Sequence, residues 1–174
     1  MEQNNSKEFY QSAMRLGTYL GIFWAMTYIL LFKFPTNTMV STIAMAMYMS
    51  SPFLAGRMVT TYRKRECSDC LKYPQAWTLL FCMYICATLL STMTNYIFFG
   101  IIDQGAFLME FDGILSQLIS TPGIDEVTKM QFEQIKELLS QMTAKEIVWQ
   151  LMNNNIFNSL TLPPMIALFV RKTL

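Results

Sequence analysis

The sequence predicts an all-α integral membrane protein: a four-helix bundle with an extracytoplasmic amphipathic helix pair between helices three and four. Composition gives the first reason. Apolar residues make up 53% of the 174 and charged residues only 14%, where soluble domains run near a quarter charged. The second is that the charge is missing in blocks. There are 17 uncharged residues between Arg15 and Lys33, 23 between Lys33 and Arg57, 30 between Lys72 and Asp103, and 24 between Glu146 and Arg171. A helix needs about 20 mostly apolar residues to cross the hydrocarbon core, and core helices of that length normally carry a charged face. The third is the distribution of Lys and Arg. Assigning segments to alternate sides puts Lys7, Arg15, Arg57, Arg63, Lys64, Arg65, Lys72, Arg171 and Lys172 on one side, and only Lys33, Lys129, Lys136 and Lys145 on the other. The positive-inside bias assigns the first side, and with it both termini, to the cytoplasm. The short loop 57–72 weighs most, with five basic residues.

Residues 1–12 read as a polar arm with an amphipathic hint in Phe9 and Tyr10. The first span is expected over about 14–32. Glu2 and Glu8 lie before it and no small-residue cleavage site follows, so it reads as a retained span and not a signal peptide. Ala13, Gly17, Gly21 and Ala25 recur every four residues as a small-residue stripe. Small residues let helix backbones approach in lipid, so the stripe is a packing seam, either within the chain's own bundle or between two copies. Pro35 and Asn37 mark a turn, and the second span follows over about 38–54. Thr42, Ala46 and Ser50 form its own small stripe, expected to meet the first span, while Met39, Met45, Met47 and Met49 fill the remaining faces. Pro52 is expected to kink or end this helix.

The third span is expected over about 77–102, from an interfacial Trp77 to an aromatic belt of Tyr96, Phe98 and Phe99. Residues 103–146 carry eight acids against three Lys and read as two amphipathic helices, over about 105–119 and 125–142. Thr121 and Pro122 suit the start of the second, and Thr143 with Glu146 has capping-box spacing for the helix after it. The fourth span, about 149–170, is the weakest. Asn153, Asn154 and Asn155 open it, Asn158 lies inside it, and Pro163 with Pro164 interrupts its hydrogen-bond ladder. Such a helix is expected to be enclosed by its neighbours. Asn95 and Asn158 fall at similar depth, so their amides are expected to face one another in a hydrogen bond worth about 0.6–2 kcal/mol.

The chemistry is restrictive. The chain has no His, which removes Ser-His-Asp and Cys-His catalysis and imidazole zinc sites. Neither a phosphate-binding nor a dinucleotide-binding glycine loop occurs, and a net charge of +1 leaves no footprint for nucleic acid. No charged residue sits in the middle of a span, which argues against an ion-coupled transporter but leaves a passive pore open. Cys67 and Cys70 form a C-x-x-C without a second pair or a thioredoxin-like context. Cys82 and Cys86 lie inside the third span. The acidic pairs Glu110/Asp112 and Asp125/Glu126 fit solvated faces and helix N-terminal charge. Neither catalytic residues nor a metal or cofactor site are expected. Arg63, Lys64 and Arg65 form a juxtamembrane basic cluster suited to topology and to lipid or partner contact.

In order and spacing these elements resemble domain-of-unknown-function family 4199, four-helix inner-membrane proteins of Bacteroidota. The resemblance is carried by Ser12 to Arg15 with Gly17 and Tyr19 to Gly21, by Pro52 to Leu54 before Tyr62 and Arg63, and by Ala76 with Trp77. It continues through Tyr96 to Phe99, Ile102 and Asp103, and ends at Arg171 with Lys172. The C-x-x-C and the Asn-rich, double-proline fourth helix depart from the family's pattern. The resemblance implies a bacterial inner-membrane protein without an assigned activity. Through gene neighbourhood it implies an accessory subunit of a membrane glycosyltransferase of the polyprenyl-phosphate sugar type. A non-enzymatic interaction subunit is therefore the expected function, with membrane lipids and a membrane protein partner or a homo-oligomer as contacts. The alternative is a passive transport or channel component, built by oligomerisation on the Gly17/Gly21 seam with a path near Asn95 and Asn158.

Overall fold

The described residues form six α-helices and one π-helical turn, and their ends depart from the apolar blocks in an instructive way. The structure, a computed structural model, describes residues 2–67, 69–103 and 105–172, with side chains from Lys7 onward. Helix α1 spans Glu2–Lys33, so the expected polar arm is already part of the first helix. Tertiary contacts hold it: the Phe9 ring meets Tyr62 edge-on at 6.4 Å, and Ser12 and Arg15 both bond Glu66 at 2.9 Å.

Helix α2, Thr38–Glu66, is capped by Asn37, whose side chain accepts from the Val40 N–H. It continues through Pro52 and ends twelve residues beyond Leu54, where the sequence pattern stopped. Proline in a membrane helix removes one ladder bond, a loss that surrounding groups make tolerable. The hydroxyls of Thr60 and Thr61 bond back to the Gly56 and Arg57 carbonyls further along. The rotation of α2 also differs from expectation. Thr42, Ala46 and Ser50 are exposed, while Ala44, Ser51, Ala55, Val59 and Tyr62 face inward. Both faces are small, and the large side chains settle the choice, since Tyr62 packs on Phe9 and Tyr48 on Tyr28.

Helix α3, Tyr73–Ile97, starts four residues before Trp77, with Pro74 in its first turn and Gln75 accepting from the Lys72 N–H. It widens into a π-helical turn at Phe98–Asp103, where the Phe98 N–H is shared between the Thr94 and Asn95 carbonyls. Phe98 and Phe99 are buried in a ring cluster with Phe32 and Phe107, so of the expected aromatic belt only Tyr96 faces outward. Gly105, at φ 91°, and the Asp103 carboxylate then open α4, Ala106–Ser120. Helix α5, Glu126–Ser140, is capped by Asp125, which accepts from the Thr128 N–H at 3.1 Å. Thr121, the expected cap, instead turns back to the Gln117 carbonyl. Thr143 and Glu146 form the expected capping box, and α6 runs from Ala144 to Val170, continuous through Pro163 and Pro164.

Among the described residues three stretches, Lys7–Lys33, Thr38–Glu66 and Tyr73–Asp103, are long and apolar enough to cross a membrane. Helix α6 has 27 residues, about 40 Å at 1.5 Å per residue, but its asparagines dilute its hydropathy. Helix α3 packs on α1 along one side and on α6 along the other, and α2 touches both of those partners. The deepest side chains of this core are Trp24, Tyr84, Leu20, Leu79, Leu80 and Met83. Helices α4 and α5 pack chiefly on one another.

Candidate functional site

The small stripe on α1 sets how closely the bundle closes. A Cβ added to Gly17 would lie 2.6 Å from the Met83 carbonyl oxygen and 2.7 Å from Cys86 Cβ; one added to Gly21 would lie 3.1 Å from Ala87 Cα. Ala13 is fully buried and Ala25 nearly so. The face through Gly17 and Gly21 is therefore filled by α3 of the same chain, which leaves no room on it for a second copy of α1.

Close packing of α1, α3 and α6 encloses a polar seam. Tyr28 donates its hydroxyl to Asn155 Oδ1 at 2.7 Å, and Asn155 Nδ2 donates to Ser91 Oγ at 3.2 Å. One turn further along α6, the Ser159 and Thr88 hydroxyls meet at 3.0 Å, and Ser159 also bonds the Asn155 carbonyl. The hub is thus Asn155. Asn158 lies about 60° around the helix from it, at 100° per residue, and meets α2, donating to the Tyr48 hydroxyl at 2.8 Å. Asn154 donates to the same oxygen at 3.2 Å. The expected pairing of Asn95 with Asn158 is not made. Asn95 is buried with its Nδ2 unpartnered, as are Trp24 Nε1, Tyr84 OH and Thr92 Oγ1.

Sequence reasoning passed over Asn155, although a signal was present. Asn155, Ser159, Pro163 and Ala167 recur every four residues and are all buried, repeating on α6 the periodicity that marks α1. The seam consists of amides and hydroxyls, which neither ionise near neutral pH nor form a nucleophile and base. Its chemistry is to lock the rotation of three helices, since each unmade bond would leave a polar group in an apolar interior.

The other concentration of polar chemistry is at the basic end. Arg63 has a side chain only 12% exposed and bonds Asp69 Oδ1 at 2.9 Å and the Val170 carbonyl. Lys172 pairs with the second oxygen of Asp69, and the backbones of Leu71 and Lys172 exchange two hydrogen bonds of 3.0 and 3.1 Å. The Lys172 ammonium and the Arg63 guanidinium hold the Asp69 carboxyl below the usual carboxylate range. Asp69 takes a left-handed backbone, φ 59°, which its short polar side chain tolerates. Arg63 is therefore a clasp between the 67–72 connector and the end of α6, and is not free for lipid or partner contact as the basic cluster suggested. Lys64 and Arg65 are exposed and make no ion pair among the described residues. Cys67 and Cys70 are free thiols, as are Cys82 and Cys86, and burial pushes the Cys67 thiol up, away from reactive thiolate behaviour. Among the described residues no three His, Cys, Asp or Glu side chains converge as a metal site.

At the opposite end, Asp112 pairs with Lys136 at 3.4 Å and Glu126 approaches Lys129 at 3.9 Å. Helix α5 buries none of its residues. Phe132 and Leu139 are half-buried, whereas Val127 and Leu138 lie on the outward face, 66% and 62% exposed, with Met130 and Ile135 also exposed.

No curated protein and no solved structure matches the chain. Residues 15–172 match the family described as protein of unknown function (DUF4199), and the chain belongs to that family.

Proposed function

We propose that this member of a family of unknown function is a four-span protein of the bacterial inner membrane, with both termini cytoplasmic, that acts without catalysis as an interaction subunit. Helix α6 is the fourth span. Its Asn155, Ser159, Pro163 and Ala167 face inward, while Phe157, Leu160, Met165, Leu168 and Phe169 are exposed, the arrangement of a helix with lipid on one side and polar partners on the other.

The observation that carries the interaction reading is the uncovered face of α5. An amphipathic helix that rests on a bilayer surface carries Lys and Arg on its polar side. Residues 103–146 have eight acids and three Lys, so an anionic bilayer repels them. Val127, Met130 and Leu138 are then left for a protein whose apolar patch is rimmed by basic groups. The family resemblance suggests a membrane glycosyltransferase as that protein.

The test is purification of the tagged full chain from its native membrane in mild detergent, with a photo-crosslinker at Leu138. A stoichiometric membrane partner crosslinked there, and released by Met130→Glu with Leu138→Glu, is the expected result. Recovery of the chain alone or with copies of itself, unaltered by these substitutions, would overturn the reading.

A further inference from the structure

The outward side of α2 near its basic end has two adjoining depressions, and Arg57 lines both. Toward α6 lies an apolar groove of about 520 Å³, walled by Pro52, Phe53 and Gly56 on α2 and by Leu162, Ile166 and Phe169 on α6. Its volume is in the range of ligand-holding cavities, about 300–1,000 Å³. Gly56 keeps it open, because a Cβ there would reach the Ile166 side chain at 3.5 Å. Toward α1 lies a cleft of about 250 Å³ lined by Arg15, Arg57 and Arg65 together with Thr61 and Glu66. Glu66 is committed to Arg15 and Ser12, both at 2.9 Å, so its charge offsets that of Arg15. Arg57 and Arg65 are exposed and make no ion pair among the described residues. Lys64 stands seven residues from Arg57, two turns along the same helix face.

We infer that this surface seats one anionic phospholipid of the leaflet at the basic end, its phosphate on Arg57 and Arg65 and an acyl chain in the groove between α2 and α6. The order along the helix fits the lipid. Pro52, Phe53 and Leu162 lie deeper in the span, and Arg57, Lys64 and Arg65 follow toward its end. The long Arg57 stem lies along apolar surface while its guanidinium reaches the head-group level. A guanidinium presents a rigid fork of donors that matches phosphate oxygens, and two of them without carboxylate partners favour an anionic head over a zwitterionic one. The inference depends on the membrane placement of α2 but not on the protein partner at α5.

The test uses the delipidated full chain in zwitterionic detergent, titrated with phosphatidylglycerol or with phosphatidylcholine of identical acyl chains, with bound lipids counted by native mass spectrometry. One phosphatidylglycerol should bind in preference to phosphatidylcholine. Each of Arg57→Gln and Arg65→Gln should weaken it about fivefold, the worth of one basic residue at a membrane surface. Gly56→Leu should weaken it without changing charge, and Lys145→Gln, at the other end, should leave it unaltered. Unchanged lipid-free thermal unfolding of the two arginine variants separates loss of binding from loss of fold. Equal affinity for both lipids, or indifference to the arginine substitutions, would overturn the inference. Displacement of the lipid by millimolar inorganic phosphate would also overturn it, since the site would then be one for a soluble anion.

Discussion

Replacing Gly17 by valine tests the central packing claim most directly, because the structure fixes the geometry of the clash. The added Cβ would sit 2.6 Å from the Met83 carbonyl and 2.7 Å from Cys86 Cβ, where ordinary contact begins at 3.4 Å. Both obstacles lie on or next to the α3 backbone, so no flexible side-chain tip can yield. The helices must part by roughly the shortfall of 0.8 Å between 2.6 and 3.4 Å, and the γ-methyls of valine widen the gap further. Overpacking of this kind costs about 1–3 kcal/mol. The rigid obstacles place Gly17→Val near about 3 kcal/mol, since valine recovers only a few tenths in helix propensity over glycine. Gly21→Val, with its nearest neighbours at 3.0 and 3.1 Å, should cost less. Gly113→Val, with nothing within 4 Å, should fall within about 0.5 kcal/mol of wild type. Reversible unfolding of the full chain in mixed micelles would rank the three, with size-exclusion light scattering reporting oligomeric state. A Gly17→Val protein as stable as wild type would refute the packing argument. A variant of unchanged stability that lost a dimer would move the stripe from the interior to a contact between copies.

Three other perturbations follow from the seam, the clasp and the caps. Asn155→Leu strands the Tyr28 hydroxyl and Ser91 and should cost about 1–3 kcal/mol, whereas Asn158→Leu breaks one half-buried bond to Tyr48 and should cost about 0.6 kcal/mol; the same unfolding assay should rank them, and equal losses would argue against a hub at Asn155. The Asp69 clasp should weaken in acid. Its carboxyl is lowered in the folded chain, so its contribution is fully present above the unfolded value, about 3.9, and is lost as pH falls through the folded one. Hydrogen exchange at the Leu71 and Lys172 amides should rise over that window, and Asp69→Asn should abolish the pH dependence; exchange insensitive to both would remove the clasp. Thr143→Ala should cost about 1 kcal/mol of stability through loss of the α6 cap, read by exchange confined to the first turn of α6.

The fold was legible in the sequence where lipid imposes its own rule. Charge-free blocks gave α1, α2 and α3 because an ionised side chain in hydrocarbon is costly enough to be avoided. Their ends were not legible, because hydropathy reports where water begins and not where helical hydrogen bonding stops. Helix α2 continues to Glu66 because Tyr62, Arg63 and Glu66 find partners on α1 and beside α6, contacts remote in sequence. Rotation was the second difficulty. Two small stripes on α2 are equally good packing surfaces, and three consecutive asparagines on α6 point in three directions. Only the positions of Tyr28 and Tyr48 decide that Asn155 turns to α1 and α3 while Asn154 and Asn158 turn to α2. The basic cluster misled for a related reason. Arg63, Lys64 and Arg65 are adjacent in sequence, but at 100° apart on a helix they face different surroundings, and only Arg63 meets the end of α6.

The division between closed and open surfaces argues for where function lies. Tyr28, Asn155, Ser91, Ser159 and Thr88 spend their polar groups on one another, and Arg63, Asp69 and Lys172 close on themselves at the basic end. Two groups of outward-facing side chains stand apart from these. Arg57 and Arg65 line an open cleft that adjoins an apolar groove, and Val127, Met130 and Leu138 face outward from a helix that buries nothing of its own. Apolar side chains on an acidic helix lose hydrophobic stabilisation for as long as they stay in water, and α4 leaves that face uncovered. If the lipid site on α2 and the protein contact on α5 are both as proposed, a substitution that disables either should leave the other intact.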